Sequence, residues 1–520
     1  MTDTVAPQYT DDERIALIDQ QFAALEAGTT APEFALKEIR EKDRTPTLDF
    51  IESEGRQLTR NEKAKMNNRP CTDMGNSERL VDQFGSEIRY CHSYKSWFIW
   101  NYQEGRWKKD VNGIIYRISK DVTRRILVEA SKWEDIGVGK KFSAWAFQCE
   151  CRTHQDGMIT LAQNDKKIIV SPDELDQDDY LFNMRNGTFN LKTFELQQHD
   201  KKLNISKLAD YECDPKAKCP QFLKFLTRTF PDNPKIIAYL QRAVGYSLTG
   251  STIEQVLFLP HGTGNNGKTV FLETVRALMG EYATVLQSKS LTTDRSAINN
   301  DIACLTGMRF VSASENSSDS KLDEEIVKLL TGGELIKARF LHQEFFTFQP
   351  KFKLWWSFNH APTITDQTFS IWRRVKIIPF LEVIPPAEMD KSLINKLVKE
   401  LPGIFNWAIA GLKEYYRIGL SEPEDVTTAV RTYKNDQDIL LDFFTERYEF
   451  TESERDRIRA SDLYNDYKSW WNDVEPTKPL TSTMFGRLCR DRGMYKKHDN
   501  ESNWYIKIRS VFVKFKGEYK

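Results

Sequence analysis

Residues 262–269 run Gly262-Thr263-Gly264-Asn265-Asn266-Gly267-Lys268-Thr269, a match to the spacing G-x-x-x-x-G-K-[ST]. Each residue type has a task on a phosphate chain. Gly262, Gly264 and Gly267 let backbone N–H groups curl around a β-phosphate at a helix N-terminus. Lys268 sets an ammonium on the β/γ oxygens, and the Thr269 hydroxyl completes a magnesium shell. Thr263, Asn265 and Asn266 fill the loop between them. The ligand that this pattern requires is a nucleoside triphosphate with its magnesium, Mg2+.

Binding a triphosphate does not say what is done with it, so the residues downstream must decide. A hydrolase needs an acid that orients water and magnesium on a strand ending near the loop. RFVSASE offers Glu315 at the end of a short apolar run. The rival acids Asp323, Glu324 and Glu325 fall in KLDEEIVKLL, whose apolar spacing is helical and makes them a solvated face. KFKLWWSFN reads as a second buried strand, with Trp355 and Trp356 one to each face. It ends in Asn359, either a sensor of water and γ-phosphate or a turn former ahead of Ala361-Pro362.

These groups need elements to hold them. Val256–Leu259 reads as a strand and Thr269–Met279 as an amphipathic helix, so the loop has the strand before it and helix after it that its chemistry demands. From about 253 to 385 strands and helices alternate, the pattern of an α/β core with a doubly wound sheet. Helical spacing in QFLKFLTRTF and NPKIIAYLQRAVGYSL predicts a helical bridge over 216–252, and 386–435 is helical again. Residues 70–215 read as an α+β domain with hairpins at WFIWNYQEGRW and YLFNMRNGTFNL, the second turning on Asn186-Gly187. Residues 1–69 read as a helical appendage. Over 436–520, helix, helix and two strands suggest a winged-helix layout. Its last part, from Thr477, carries eleven Lys/Arg against four Asp/Glu. Arg487, Arg490, Arg492, Lys496 and Lys497 are its candidates for phosphate contact.

The run KLLTGGELIKARFLHQEFFTFQPKFKLWWSFNHAPTI, followed by TFSIWRRVKIIPF, resembles the superfamily 3 helicases, within them the phage, plasmid and poxvirus primase-helicase group. TDMGNSERLVDQFGSEIRY, LFNMRNGTFNLKTFELQQH and YECDPKAKCPQFLKFL resemble the domain that precedes the motor in that group. The resemblance implies an AAA+ ATPase that forms a ring, a hexamer in the family, and moves along a DNA single strand or fork. It further implies that Lys268 and Thr269 form the first motif, that Glu315 is the catalytic acid and a magnesium partner, and that Asn359 is the sensor. Arg374 best matches the arginine finger that reaches a neighbour's ATP, with Arg373 as the fallback. Lys337, Arg339 and His342 match the hairpin that projects into the central channel. Two departures stand out. Ser314-Glu315-Asn316 has one carboxylate where many relatives have two, and Glu334 follows the glycine pair where Asp is common.

Relatives often carry a primase domain before the motor. Here about 70 residues precede the α+β region, so a separate primase or loader is expected, and no primer synthesis by this chain. The competing expectation is an initiator or scaffold that uses ATP as an assembly switch and recognises an origin through the C-terminal domain. Composition narrows the classes further. With 520 residues, 74 Lys/Arg and 75 Asp/Glu, the chain is no uniformly basic nucleic-acid coat. Its apolar runs are strand-length, too short to cross a membrane. Eight cysteines are ordinary usage; Cys149, Cys151 and His154 lie close together without the four ligands that a structural zinc needs. The expected location is intracellular, in the cytoplasm of a bacterial host.

Overall fold

The computed structural model describes residues 69–511, apart from 294–297, 315–320, 340–344, 360, 365–368, 439, 475–477 and 499–501. The expected appendage at the N-terminus therefore lies almost wholly outside the described residues.

The region that follows is α+β. Helix α1 (Asp73–Phe84) opens on Thr72, whose hydroxyl accepts from Gly75 N at 3.1 Å. After it come the antiparallel strands β1 (Ile88–Cys91), β2 (Ser96–Asn101) and β3 (Arg106–Lys109), then helices α2 (Ile114–Ala130), α3 (Ile136–Gln148) and α4 (Arg152–Ala162). Leu80, Phe84, Ile88, Ile99, Ile118 and Met158 pack into one core between them. Arg79 and Glu129, both buried, pair at 3.0 Å and tie α1 to α2. A second antiparallel sheet follows, β4 (Leu181–Met184), β5 (Gly187–Asn190) and β6 (Glu195–Gln197). Its first turn lies one residue earlier than expected. Met184 pairs with Gly187, so the loop is Arg185-Asn186. The Asn186 amide is instead engaged by the Cys213 backbone, donating to its carbonyl at 2.9 Å and accepting from its N–H at 2.8 Å.

The helical bridge is two proline-started helices, α5 (Pro220–Thr229) and α6 (Pro234–Leu248). Every residue of α6 from Ile236 to Leu248 is buried, so it is a core helix rather than a surface link.

The α/β core then runs β7 (Leu257–His261), α7 (Lys268–Met279), β8 (Ala283–Val285), α8 (Ile298–Ala303), β9 (Phe310–Ser314), α9 (Glu324–Thr331), β10 (Ile336–Ala338), β11 (Phe346–Phe348), β12 (Lys353–Ser357), α10 (Phe369–Trp372) and β13 (Val375–Pro379). Five of these strands form a parallel sheet in the order β13-β7-β12-β9-β8. Trp355 faces one apolar core with Phe258, Phe271 and α6, and Trp356 faces the other with Ile326, Leu330 and Ile371. The two tryptophans thus divide between the faces, as strand alternation requires. Helices α11 (Leu393–Val398), α12 (Leu401–Ile418) and α13 (Glu424–Asp436) follow, with α12 packed along α6.

The chain closes with α14 (Leu441–Arg447), β14 (Tyr448–Phe450), β15 (Arg457–Arg459), α15 (Ala460–Val474), α16 (Ser482–Asp491), β16 (Lys496–His498), β17 (Asn503–Ile506) and β18 (Ile508–Ser510). The two helices and the β16–β17 hairpin match expectation. Strand β15 extends that hairpin to three strands, and β14 pairs with β18. Phe443, Tyr467, Trp470, Phe485 and Tyr505 form a core of their own.

Two buried basic side chains pin the N-terminal edge of the parallel sheet. Arg309, just before β9, donates to the carbonyls of Leu248 at 2.8 Å, Asp178 at 3.0 Å and Leu181 at 2.7 Å. Lys353, at the start of β12, donates to the carbonyls of Thr249 and, at 3.2 Å, Ser251. The far end of α7 is anchored too. Glu281 N donates to Leu208 O at 3.0 Å, its carboxylate pairs with Arg106 of β3, and Tyr282 stacks on Phe182 of β4 with ring centres 4.8 Å apart.

Candidate nucleotide site

The strand order reverses beside β7, whose neighbours β13 and β12 both follow it in the chain. In a parallel sheet, ligands bind beyond the strand C-termini at such a switch point. The Gly262–Thr269 loop leaves β7 there and enters α7 directly.

The loop's shape depends on its glycines. A Cβ on Gly262 would stand 2.2 Å from Phe380 O and 2.0 Å from Asn266 Nδ2, so only a bare backbone passes. Gly264, Asn265 and Gly267 all have positive φ (112°, 51° and 81°), and this turns successive N–H groups toward one concavity. The Asn266 side chain locks the curl by donating to Phe380 O at 3.0 Å.

Lys268 is buried in this curl. Its ammonium donates to Gly262 O at 2.7 Å, Asn266 Oδ1 at 2.9 Å and Asn359 Oδ1 at 3.2 Å. None of the three acceptors carries a charge, and burial lowers the lysine pKa to about 8. Asn359 reaches the loop because it stands just beyond β12, where Phe358 N donates to Pro260 O at 3.2 Å. Thr269 is exposed in the first turn of α7. An ammonium held by neutral oxygens, an exposed hydroxyl and turned N–H groups fit a magnesium-bound triphosphate: Lys268 and the loop amides would take the phosphate oxygens, and Thr269 the metal.

Glu315 lies outside the described residues. The strand before it, β9, ends at Ser314, whose hydroxyl is 3.2 Å from that of Ser357. Of the rival acids, Asp323 is the N-cap of α9, accepting from Ile326 N at 3.0 Å, and Glu324 and Glu325 form the helix's first turn.

Arg373 and Arg374 precede β13, at the sheet edge opposite the loop. Five residues of strand, about 16 Å, separate them from this chain's own phosphate site. They differ in exposure. Arg374 is 8% exposed and spends its donors inside the chain, on Thr331 Oγ1 at 3.2 Å and the Ser370 carbonyl. Arg373 is exposed and touches Gln255 Oε1 at 2.5 Å. Gln255 also donates to Gly332 O at 3.0 Å and Arg373 N to Phe369 O at 3.1 Å; Ile253 (78%), Leu335 (70%) and Phe369 (79%), on or close in sequence to these residues, are exposed. Nothing in the composition or spacing singled out Gln255.

Lys337 lies on the exposed face of β10, which pairs antiparallel with β11, and Arg339 follows the strand directly; both stand over the Phe345 ring, at 4.9 and 4.8 Å. His342 is outside the described residues. In the C-terminal region Arg487 and Arg490 share the exposed face of α16, Lys496 lies over Tyr505 and Lys497 pairs with Glu454 at 2.6 Å. Arg492 departs from expectation: it is paired with Asp438 and stacked on Phe444, an anchor rather than a phosphate contact. Of the cysteine group, Cys149 accepts from Asn76 at 3.0 Å and His154 pairs with Asp73 at 2.7 Å.

Residues 77–231 match the family described as D5 N terminal like, and residues 261–374 match a family of unknown function, DUF5906. "Putative helicase L207/L206" of Acanthamoeba polyphaga mimivirus is 26% identical over 321 residues, 57% of this chain and 33% of that protein. "Putative helicase 121R" of Invertebrate iridescent virus 3 is 27% identical over 346 residues, 59% of this chain and 37% of that protein. The chain is distantly similar to these viral proteins. It spans about a third of the length of the curated relatives it matches. The apo C terminal region of NrS-1 aligns with a TM-score of 0.47 and 11% identity, covering 84% of this chain and 99% of that one. No helix among the described residues is long and apolar enough to cross a membrane.

Proposed function

We propose that this chain is an ATP-dependent DNA helicase motor of the superfamily 3, AAA+ type, acting as a ring, hexameric by resemblance, in the replication of a mobile element or virus. The observation that carries this reading is the meeting of Lys268 and Asn359 at the switch point of a parallel sheet ordered β13-β7-β12-β9-β8. A phosphate-binding lysine and a strand-end amide within hydrogen-bond reach make a site that can feel whether a γ-phosphate is present.

Bound magnesium would neutralise phosphate charge and fix the chain's geometry. The residues do the rest. Lys268 exchanges its three neutral acceptors for β/γ oxygens, and Asn359, released from the lysine, is free to hold the attacking water. Glu315 takes the water's proton as the new P–O bond forms and the β–γ bridging bond breaks. Arg373, exposed at the far edge of the sheet, supplies transition-state charge to a neighbour's site, since it cannot reach its own. The exposed apolar side chains of Ile253, Leu335 and Phe369 suit contact with a second copy, head to tail as a ring requires. Lys337 and Arg339 on the β10–β11 hairpin serve sequence-independent phosphate contact with one DNA strand. The basic face of α16 in the winged-helix-like C-terminal domain is a second DNA contact.

ATP hydrolysis and strand displacement on a forked duplex, measured beside Lys268→Ala, test this. DNA-stimulated turnover with unwinding, both absent in the variant, is the expected result. Tight DNA binding with slow, unstimulated turnover and no unwinding would sink the motor and favour an ATP-switched initiator.

A further inference from the structure

A phosphate loop accounts for a triphosphate and not for the flat, largely apolar base attached to it. After β13 the chain turns along the loop instead of leaving it. Phe380 N donates to His261 O at 2.7 Å, and Ile384 N donates to Asn265 O at 2.8 Å. From the other side Arg228, near the end of α5, grips the same segment through Glu382 at 2.6 Å and Glu388 at 3.0 Å. Residues 380–388 are thus a strap, fastened to the loop at Phe380 and Ile384 and to α5 at Glu382 and Glu388.

Exposure alternates along the strap. Glu382 and Ile384 are half-buried, whereas Leu381 and Val383 stand 75% and 52% exposed. Two large aliphatic side chains held out on a fastened strap, next to a loop residue that the strap itself bonds, lose apolar burial unless something covers them. Charge leaves room for a nucleotide as the cover. The two carboxylates of the strap are already paired with Arg228, so no free negative charge repels a polyanion here. The strap's position beside Asn265 puts the apolar pair within a nucleotide's length of the loop amides.

We infer that Leu381 and Val383 are the nucleobase shelf: the base of a nucleoside triphosphate packs on them while its phosphates occupy Gly262–Thr269. The inference rests on the phosphate-loop reading above. Because two aliphatic side chains offer area and no hydrogen bond, selection through them is by area, and purines are preferred to pyrimidines. The fastening matters as much as the side chains, since a shelf already in place costs little ordering when the base arrives.

Titration of the full chain with Mg-ATP and with inorganic Mg-tripolyphosphate, which has no base, separates the two readings. The Leu381→Ser/Val383→Ser variant is expected to lose about tenfold in ATP affinity and nothing in tripolyphosphate affinity. Arg228→Ala, which unfastens the strap while leaving both aliphatic side chains, is expected to lose ATP affinity alone, by a smaller factor. Lys268→Ala is expected to lose both ligands. No loss for ATP in the double variant, or an equal loss for both ligands, overturns the shelf and leaves the loop standing. A variant that changes only the sedimentation of the protein assigns the pair to contact between copies and also overturns it. Undiminished binding of both ligands by Lys268→Ala would instead remove the phosphate-loop reading itself.

Discussion

The Lys268 ammonium stands 3.2 Å from the Asn359 side-chain oxygen, although 91 residues separate them in the chain. Strand β12 makes this contact by running parallel to β7 and ending beside the phosphate loop. The lysine is therefore held by neutral groups that a bound phosphate would have to displace, and the asparagine would be freed in the same event.

That arrangement has a pH signature. Burial brings the Lys268 pKa to about 8 in the free chain, below its ordinary value. Between about 8 and the ordinary lysine range the unfolded chain binds the extra proton, so this group's cost to folding is full below pH 8 and relieved above it. Nucleotide binding runs the other way, because phosphate oxygens favour the ammonium. ATP affinity should hold steady up to about pH 8 and then fall by up to tenfold per pH unit. Titration calorimetry from pH 7 to 9.5 reads this, and Lys268→Arg should flatten the curve.

The two arginines before β13 should separate cleanly. Arg374 is committed to Thr331 and Ser370 within its own chain, so Arg374→Ala should cost about 2 kcal/mol of stability. Arg373→Ala should leave the melting temperature nearly unchanged and lower kcat by about a thousandfold. Mixing Arg373→Ala with Glu315→Gln subunits should restore part of the turnover at mixed interfaces. A stable, inactive Arg374→Ala beside an active Arg373→Ala would exchange their roles.

Arg309 satisfies three carbonyls from two regions of the chain, with no carboxylate among the described residues in salt-bridge contact. Arg309→Ala strands all three in a closed space and should cost about 3 kcal/mol or more, at about 1 to 3 kcal/mol for each acceptor left unsatisfied. Urea unfolding measures it, and a loss below 1 kcal/mol would mean that water replaces the guanidinium.

Lys337 and Arg339 can be tested by salt alone. If each meets one backbone phosphate, its replacement by Ala should reduce the slope of log K against log salt by about one, equally on unrelated sequences. A change confined to one sequence would point to base contact instead.

Much of the site was legible because its chemistry is local. The loop residues are contiguous, and the hydrophobic runs on either side identify the strand and helix that carry them. The division of Trp355 and Trp356 between two cores follows from alternation alone. What could not be read depends on contacts across the chain. The burial of Arg374 and exposure of Arg373 turn on Thr331 and Gln255, neither of which has a sequence signal. Arg309 and Lys353 look like strand-edge charges until the carbonyls that end α6 are placed against them. The Asn186-Gly187 pair favoured a turn at those residues, but the amide is worth more to the Cys213 backbone, and the loop slid back by one.

Helix α7 begins at Lys268 and is held at its other end by Arg106, Leu208 and Phe182 of the N-terminal region. At twelve residues it is a rod about 18 Å long. Its N-terminal end carries the glycine loop and its other end is fixed to the N-terminal region, so any displacement of the loop along the helix axis would be passed on to that region.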